Sequence, residues 1–193
     1  MIPVLIGLSG LSGAGKTTVA EHLERQGGIK RFRFDAFYKD ESECPKIGER
    51  PHWDLPKSLH LDRALDALQE LRKGNEIWLP IYNRKENRCT GKSIYQPAPI
   101  IFAEGLMLFS DERIRNLFDL RLWLEVDEET ALQRRLQRQP DYDVSYHRTI
   151  ALPAQRKIVL PLRACAHEIL DWSKTTKEIA NTTDRIIHKF LGI

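Results

Sequence analysis

The sequence predicts a three-layer α/β domain, in which a parallel β-sheet is packed between helices. Residues 4–8 are an apolar run with the length of a buried strand, and they are followed by a glycine-rich loop and a helical pattern over residues 18–25. Residues 99–105 and 120–126 are two further apolar runs of strand length. Continuous apolar runs of this kind are typical of strands in parallel sheets, which are buried on both faces. With 193 residues the chain is long enough for one domain with a sizeable core.

Composition excludes several classes of protein. The chain is 41% apolar and 30% charged, with a net charge of +3, which suits a small anionic substrate and does not by itself indicate nucleic acid. The three cysteines are odd in number and lack metal-ligand spacing, and the six histidines form no spaced pair, so we expect a reducing compartment and no zinc. The apolar start is too short for a signal peptide, and no run reaches membrane-spanning length. We therefore expect a cytoplasmic protein with no membrane or nucleic-acid partner, and a homo-oligomer is compatible with the sequence.

Residues 10–17 read Gly-Leu-Ser-Gly-Ala-Gly-Lys-Thr and match the phosphate-loop pattern. The loop lies between a strand end and a helix start, where backbone N–H groups and the helix dipole favour an anion. Lys16 is expected to reach the β- and γ-phosphates of ATP, and the Thr17 hydroxyl to bind Mg²⁺. The residues expected to bind the nucleotide are Gly10, Ser12, Gly13, Ala14, Gly15, Lys16, Thr17 and Thr18.

Two carboxylates follow predicted strands. Asp35 comes after the alternating strand 30–34, and it could accept a proton from an attacking hydroxyl or serve as a turn or helix-cap residue. Glu104 ends the strand 99–105, and a buried acid at a strand end is costly unless a cation lies nearby. We expect Glu104 to face the metal, through water.

The middle of the chain is predicted to contain a loop, a helix and an insertion. The loop 41–56 contains the pair Trp53-Asp54, and Asp54 could cap the following helix, predicted over 58–73, while also facing a ligand. Residues 76–82 and 93–96 are predicted to pair as a hairpin around 90–92, within an insertion of about 76–97. The default expectation for its charged residues Arg84, Lys85 and Arg88 is solvation.

The second half of the chain is predicted to carry a lid, at about residues 134–150. A short helix over 111–117 with Ser110 as its cap precedes a helix over 128–139 capped by Asp127. On this second helix Arg135 and Arg138 share a face, which is either a solvated basic surface or a clamp for the transferred phosphoryl group.

After that helix, residues 141–149 are expected to form a mobile loop. Pro153 and Pro161 are expected to break the helical stretch that follows, and residues 167–171 to form a last strand. The final helix is expected to begin at Thr175 or Thr176. Its inward-facing residues are predicted to be Ile179, Ile186, Ile187 and Phe190.

Several of these motifs together resemble the uridine/cytidine kinase branch of the phosphate-loop nucleoside kinases, over nearly the whole chain. The matching pieces are the loop 10–17, Asp-Ala-Phe-Tyr-Lys at 35–39, Trp53-Asp54, Pro-Ile-Tyr at 80–82, Ile-Phe-Ala-Glu-Gly at 101–105 and Arg-Arg-Leu-Gln-Arg at 134–138. The chain is also similar to nicotinamide riboside kinases. Tyr82 favours the uridine kinase side, because it matches a tyrosine that contacts the base there. The chain departs from that branch at Asn87, where the family has a histidine, and at 139–143, where an Arg-Gly-Arg run is missing.

The resemblance implies a phosphate-loop NTPase fold and ATP-dependent phosphorylation of the 5′-hydroxyl of a nucleoside, uridine or cytidine first, with ATP and Mg²⁺ as cofactors. It implies catalytic roles for Asp35, Lys16, Arg135 and Arg138. It implies substrate contacts from Asp35, Tyr38, Trp53, Asp54 and Tyr82, and metal contacts from Thr17 and Glu104.

Two other classes of function compete with this interpretation. A GTPase switch would need an Asn-Lys-x-Asp base reader and an Asp-x-x-Gly switch, and the sequence contains neither. A non-catalytic ATP-binding regulator would not need Lys16, Thr17, Asp35 and Glu104 together. Among kinases, nicotinamide riboside or another small alcohol, such as pantothenate, glycerate or a sugar phosphate, stays open as acceptor.

Overall fold

A five-stranded parallel sheet lies at the centre of the protein, in a computed structural model that describes residues 2–171, 173 and 175–192. In chain order the strands are β1 (Val4–Ser9), β2 (Ile29–Arg33), β3 (Lys46–Ile47), β4 (Arg50–Pro51), β5 (Ile77–Asn83), β6 (Arg88–Tyr95), β7 (Ile100–Glu104), β8 (Leu120–Leu124) and β9 (Glu168–Leu170). The α-helices are α1 (Lys16–Gln26), α2 (Leu61–Arg72), α3 (Glu112–Arg115), α4 (Glu128–Arg138), α5 (Val144–Tyr146), α6 (Leu152–Ala154) and α7 (Thr176–Leu191).

The strand order of the central sheet is β2-β7-β1-β8-β9, with every pair parallel. Because the strands are parallel, their carboxyl ends meet at one edge, which in such sheets is where ligands bind. Ser9 and Glu104 therefore end neighbouring strands at the same edge, since Leu8 on β1 pairs with Glu104 on β7. The predicted parallel α/β fold is confirmed.

The core is apolar on both sides of this sheet. Its largest fully buried side chains include Trp123, Phe32, Phe102 and Phe109. Helix α1 buries Val19, Ala20 and Leu23, the face that its sequence pattern predicts. Among the described residues, no helix is long and apolar enough to cross a membrane.

The hairpin is present, but its turn lies elsewhere than predicted. Strands β5 and β6 pair from Ile77–Tyr95 to Asn83–Arg88, so the turn is formed by residues 84–87, and residues 90–92 lie within β6. Asn87 adopts a φ of +50° in this turn. Asparagine tolerates this left-handed conformation better than most residues, and that explains the turn's position.

Helix caps differ from the sequence-based expectations in two places. Helix α2 begins at Leu61 with His60 at its N-cap, so Asp54 does not cap it. Helix α3 is capped by Asp111, which accepts a hydrogen bond from the Arg113 N–H, and not by Ser110. A carboxylate and a hydroxyl one residue apart compete for the same role, and here the carboxylate takes it. The prediction for Asp127 is confirmed, since it caps α4 through the Thr130 N–H.

The region after α4 is more helical than predicted. Residues 144–165 are helical throughout, with π-helical turns at His147–Ala151 and Gln155–Val159 and a 3₁₀ turn at Leu160–Cys165. Pro153 and Pro161 do not break the helical path. Each follows a π-helical turn, whose wider hydrogen-bonding pattern lets the helical path continue although proline has no N–H to donate. The expectation of a loop over 141–149 holds only for its first residues.

The final helix agrees with the sequence pattern except at its end. Thr175 caps α7 in a capping box with Glu178. Ile179 and Ile187 are buried, whereas Phe190 is 47% exposed, so the prediction that Phe190 packs inward is wrong.

Candidate active site

The glycine-rich loop connects β1 to α1 at the carboxyl edge of the sheet. Gly13 and Gly15 have φ values of +92° and +102°, and Gly15 is the N-cap of α1 without a side-chain cap. A Cβ at Gly13 would lie 2.0 Å from the carbonyl oxygen of Ala131, so glycine is needed there for contact with α4 as well as for the turn. The uncapped N–H groups of α1 make the loop an anion-binding site.

Lys16 lies inside this loop. Its Nζ donates hydrogen bonds to the carbonyl oxygens of Gly10 (2.8 Å) and Leu11 (2.9 Å). Burial lowers the pKa of Lys16 to about 8, and the carboxylates of Glu104 and Asp35 oppose that decrease. The ammonium group is thus held by carbonyl oxygens and two nearby acids, in a place where phosphate oxygens would stabilise its charged form.

Thr17 and Glu104 form a pair of oxygen donors next to Lys16. The Thr17 hydroxyl lies 3.3 Å from Oε2 and 3.4 Å from Oε1 of Glu104, which is only 3% exposed. One hydroxyl and one carboxylate fit Mg²⁺, which usually takes one or two protein oxygens and completes its shell with water and phosphate. Glu104 also forms an ion pair with Arg31. Sequence reasoning did not assign Arg31 to the site, although a charged residue within the short predicted strand 30–34 could have suggested it.

Asp35 lies in a 3₁₀ turn, Phe34–Phe37, directly after β2. It does not cap this turn, because Arg33 is the N-cap and makes no side-chain cap, so the cap interpretation of Asp35 is wrong. Its side chain is 29% exposed and forms an ion pair with Arg84 from the hairpin turn. Arg84 also lies 5.8 Å from the centre of the Tyr38 ring, so the default of a merely solvated Arg84 is wrong too.

Three aromatic rings form a cluster beside Asp35. The Tyr38 ring lies 6.1 Å from the Trp53 ring and 5.9 Å from the Tyr82 ring, measured between centroids. The Tyr82 hydroxyl donates to the Lys39 carbonyl oxygen at 3.3 Å. The predicted acceptor-binding aromatics therefore come together from three separate segments and offer ring faces and edges to one region of the cleft.

Asp54 is buried at the end of the same cluster. It accepts a hydrogen bond from Gln155 Nε2 at 2.9 Å, and Gln155 is itself buried. Burial raises the pKa of Asp54, while the Arg135 guanidinium and the Gln155 hydrogen bond oppose that rise. No sequence signal pointed to Gln155, because its partner is 101 positions away.

Helix α4 faces the phosphate loop. Arg135 donates a hydrogen bond to Ser12 Oγ, and its guanidinium lies 3.9 Å from the centre of the Tyr142 ring. Arg134 donates to the Ala14 carbonyl oxygen at 3.2 Å. Burial and the neighbouring Arg135 lower the pKa of Arg138. The alternative of a solvated basic face is therefore wrong for Arg135, which touches the loop directly.

The segment after α4 closes over the Trp53-Asp54 loop. The Trp53 N–H donates to the Tyr146 hydroxyl oxygen at 3.2 Å. Arg50 pairs with Asp143 and lies 5.3 Å from the centre of the Tyr146 ring. These contacts join the Trp53-Asp54 loop to residues that lie far away in sequence.

Most of these groups line one open cleft of about 1190 Å³, whereas Arg134 and Gln155 contact its lining residues from behind and do not line it. Of the predicted residues, Gly10 and Ala14 belong to the loop but are not among those lining it. The others line it together: Ser12, Gly13, Gly15, Lys16, Thr17, Thr18, Asp35, Tyr38, Trp53, Asp54, Tyr82, Glu104, Arg135 and Arg138. The structure thus brings the predicted phosphate, metal and acceptor residues into a common site.

The sequence model of the Phosphoribulokinase / Uridine kinase family matches residues 5–143, which include the phosphate loop, Asp35, Glu104 and the whole of helix α4. The chain belongs to this family. It is 39% identical over 141 residues to a uridine kinase of Brevibacillus brevis, an alignment that spans 70% of this chain and 66% of that enzyme. The family resemblance inferred from the motifs is confirmed, and the family is one of phosphotransferases.

Solved structures with low sequence identity share the fold. One is described as a possible uridine kinase from Bacillus stearothermophilus, with a TM-score of 0.59 and 20% identity over 88% of this chain and 89% of that chain. Another is shikimate kinase from Acinetobacter baumannii, with a TM-score of 0.56 and 20% identity over 98% of this chain and 94% of that chain. At these identities the likeness shows the phosphate-loop kinase fold alone.

Proposed function

We propose that the protein is a nucleoside kinase that transfers the γ-phosphoryl group of ATP to a ribose 5′-hydroxyl, with uridine or cytidine as acceptor. The observation that carries this is the cleft itself, because Lys16 and Thr17 share it with Asp35, with Asp54 and with the aromatic cluster. The uridine kinases among its relatives support the choice of acceptor.

In this proposal the phosphate loop and Lys16 hold the β- and γ-phosphates. Asp35 accepts the proton of the 5′-hydroxyl as its oxygen forms the new bond to phosphorus, and the bond from the γ-phosphorus to the bridging oxygen breaks to release ADP. Arg135 and Arg138 neutralise charge on the transferred group. When bound at Thr17 and Glu104, Mg²⁺ would supply further charge neutralisation.

Asp54 would accept hydrogen bonds from the ribose hydroxyls, and Trp53 and Tyr82 would pack on the base beside Tyr38. Gln155 donates to Asp54 Oδ1 and thereby fixes the direction of the carboxylate. Positioning of this kind supplies much of the rate in phosphoryl transfer, because the protein does little covalent chemistry.

The hairpin turn contains the position at which this chain departs from the uridine/cytidine kinase pattern. Asn87 stands where the resemblance has a histidine, and its side chain is occupied by a hydrogen bond to Glu41 Oε2 at 2.7 Å. Asn87 therefore serves the turn, and base contacts in this proposal come from the aromatic cluster.

A panel of acceptors tests the proposal. ATP consumption is measured with uridine, cytidine, nicotinamide riboside and non-nucleoside alcohols such as pantothenate and glycerate. We expect turnover with uridine or cytidine at a kcat/KM at least about tenfold above the other acceptors. Preference for nicotinamide riboside or for a non-nucleoside alcohol would contradict the acceptor assignment, and ATP binding without turnover of any acceptor would contradict the kinase itself.

A further inference from the structure

Arg31 holds the carboxylate that is proposed to face the metal. Its Nη2 and Nε both donate to Oε1 of Glu104, at 2.6 Å and 3.2 Å. Its Nη1 reaches Glu21 Oε1 on α1 at 2.9 Å. Arg31 is 13% exposed and Glu104 3% exposed, so the pair is shielded from water.

This geometry makes the two oxygens of Glu104 unequal. Oε1 accepts two hydrogen bonds from the guanidinium and Oε2 accepts none from it, while the Thr17 hydroxyl lies at nearly the same distance from both oxygens, 3.4 Å from Oε1 and 3.3 Å from Oε2. Rotation of the carboxylate would break a charge-assisted pair in a buried place, which is costly. Because Glu21 lies on the helix that also carries Thr17, the same guanidinium ties that helix to Glu104.

We propose that Arg31 is a positioning residue that occupies Glu104 Oε1 and so leaves Oε2, beside Thr17, for the metal, and that its charge prevents a divalent cation from binding tightly before the nucleotide does. The inference rests on the proposed function. The guanidinium charge, which Glu104 shares with Glu21, and the nearby Lys16 ammonium together offset the charge of Glu104, so the Thr17–Glu104 pair offers a cation little net charge. Phosphate oxygens must then supply the remaining attraction, and the metal enters together with the nucleotide.

Binding of Mn²⁺ to the full-length protein without nucleotide tests this inference, with free Mn²⁺ followed by electron paramagnetic resonance. We expect Arg31→Met to bind Mn²⁺ at least about tenfold more tightly than the wild type, because a buried positive charge next to the site is removed. Lys30→Met is the matched control. It removes a charge from the same strand, where Lys30 Nζ lies over the Tyr95 ring, and should change Mn²⁺ affinity less than about twofold.

Two further variants separate charge from geometry and from folding. Arg31→Lys keeps the charge but loses the two-donor fork, so Mn²⁺ affinity should stay near wild type while kcat falls about tenfold. In a Glu104→Gln background, Arg31→Met should strengthen Mn²⁺ binding clearly less than it does in the wild-type background, because no carboxylate is then released to bind the metal. Arg31→Met alone should lower the melting temperature, because it breaks the buried ion pair, and added Mn²⁺ should recover part of that loss.

Equal Mn²⁺ affinity in Arg31→Met and wild type would overturn the inference. So would a lower melting temperature with no change in metal affinity, because the pair would then be purely structural. A wild-type protein that fails to bind the Mn²⁺–ATP complex would contradict the proposed function instead, which distinguishes the two failures.

Discussion

The phosphate end and the acceptor end of the cleft are built in different ways. The phosphate loop is one stretch of chain between β1 and α1, and Lys16 bonds to carbonyl oxygens of its own loop. The acceptor end is assembled from separate segments, and its links span long distances along the chain, as between Asp54 and Gln155 or Trp53 and Tyr146. A contiguous motif can bind phosphate in many different enzymes. In a site assembled from many segments, substitutions in a single segment can alter which acceptor binds without disturbing the others.

The largest effect is expected at the phosphate end. Lys16→Met should lower kcat at least about a thousandfold, because it removes the charge that stabilises the transferred group. Steady-state turnover at saturating acceptor measures it. Arg88→Met, on the exposed hairpin, is the control and should stay within about twofold of wild type, since Arg88 pairs only with Glu86 among the described residues. Residual activity above a tenth of wild type would show that Lys16 is not needed.

The same residue predicts a pH dependence of stability. Burial lowers the pKa of Lys16 from 10.5 to about 8, so between these values the unfolded chain holds this proton more tightly than the folded chain does. The free energy of unfolding should therefore rise with pH over that window, relative to Lys16→Met. Denaturant titrations of both proteins at about pH 8 and about pH 10 measure the difference. A difference between the two proteins that is constant with pH would contradict the lowered pKa.

The next largest effect is expected at Asp35. Asp35→Asn should lower kcat at least about a hundredfold while the affinity for ATP stays near wild type, because the amide cannot accept the proton. Single-turnover kinetics and ATP titration separate the two quantities. Asp66→Asn on the exposed side of α2 is a matched control. An Asp35→Asn protein with near-normal kcat would remove Asp35 from the mechanism.

A smaller effect is expected at the acceptor end. Asp54→Ala should raise the acceptor KM about tenfold or more and leave the KM for ATP nearly unchanged, and Gln155→Leu should do the same to a lesser degree. The double variant should be no worse than Asp54→Ala, because Gln155 acts through Asp54. A change confined to the KM for ATP would show that Asp54 does not bind the acceptor.

The smallest effect is expected where the segment after α4 meets the Trp53 loop. Tyr146→Phe removes the acceptor of the Trp53 N–H, and the acceptor KM should rise about threefold. Initial rates at varied acceptor measure it, with Tyr95→Phe, which loses a bond to the Lys30 carbonyl, as the control. An unchanged KM would mean that the Trp53 loop is held by its other contacts.

The sequence was most informative where function depends on local spacing. The loop around Lys16, the strand ending at Glu104 and the helix carrying Arg135 were predicted, because each follows from residues adjacent in the chain. Arg84 was expected to be solvated because its neighbours are polar, yet the hairpin turn carries it to Asp35. Gln155 and Arg31 act through partners on other elements, and a single sequence holds no signal for such pairs.

Misplaced boundaries have equally physical causes. The hairpin turn was expected at residues 90–92, whereas Asn87 provides the left-handed residue that the turn uses. Pro153 was expected to end a helix, but π-helical turns accommodate it. In both cases more than one local solution satisfied the backbone, and packing selected among them.

The close approach of Gly13 to Ala131 packs the phosphate loop directly against helix α4. Any side chain at position 13 would push that helix outward and carry the Arg135 guanidinium away from Ser12, its partner 123 positions earlier. A displacement of α4 away from the phosphate loop would therefore also remove the Arg135 guanidinium from the nucleotide site.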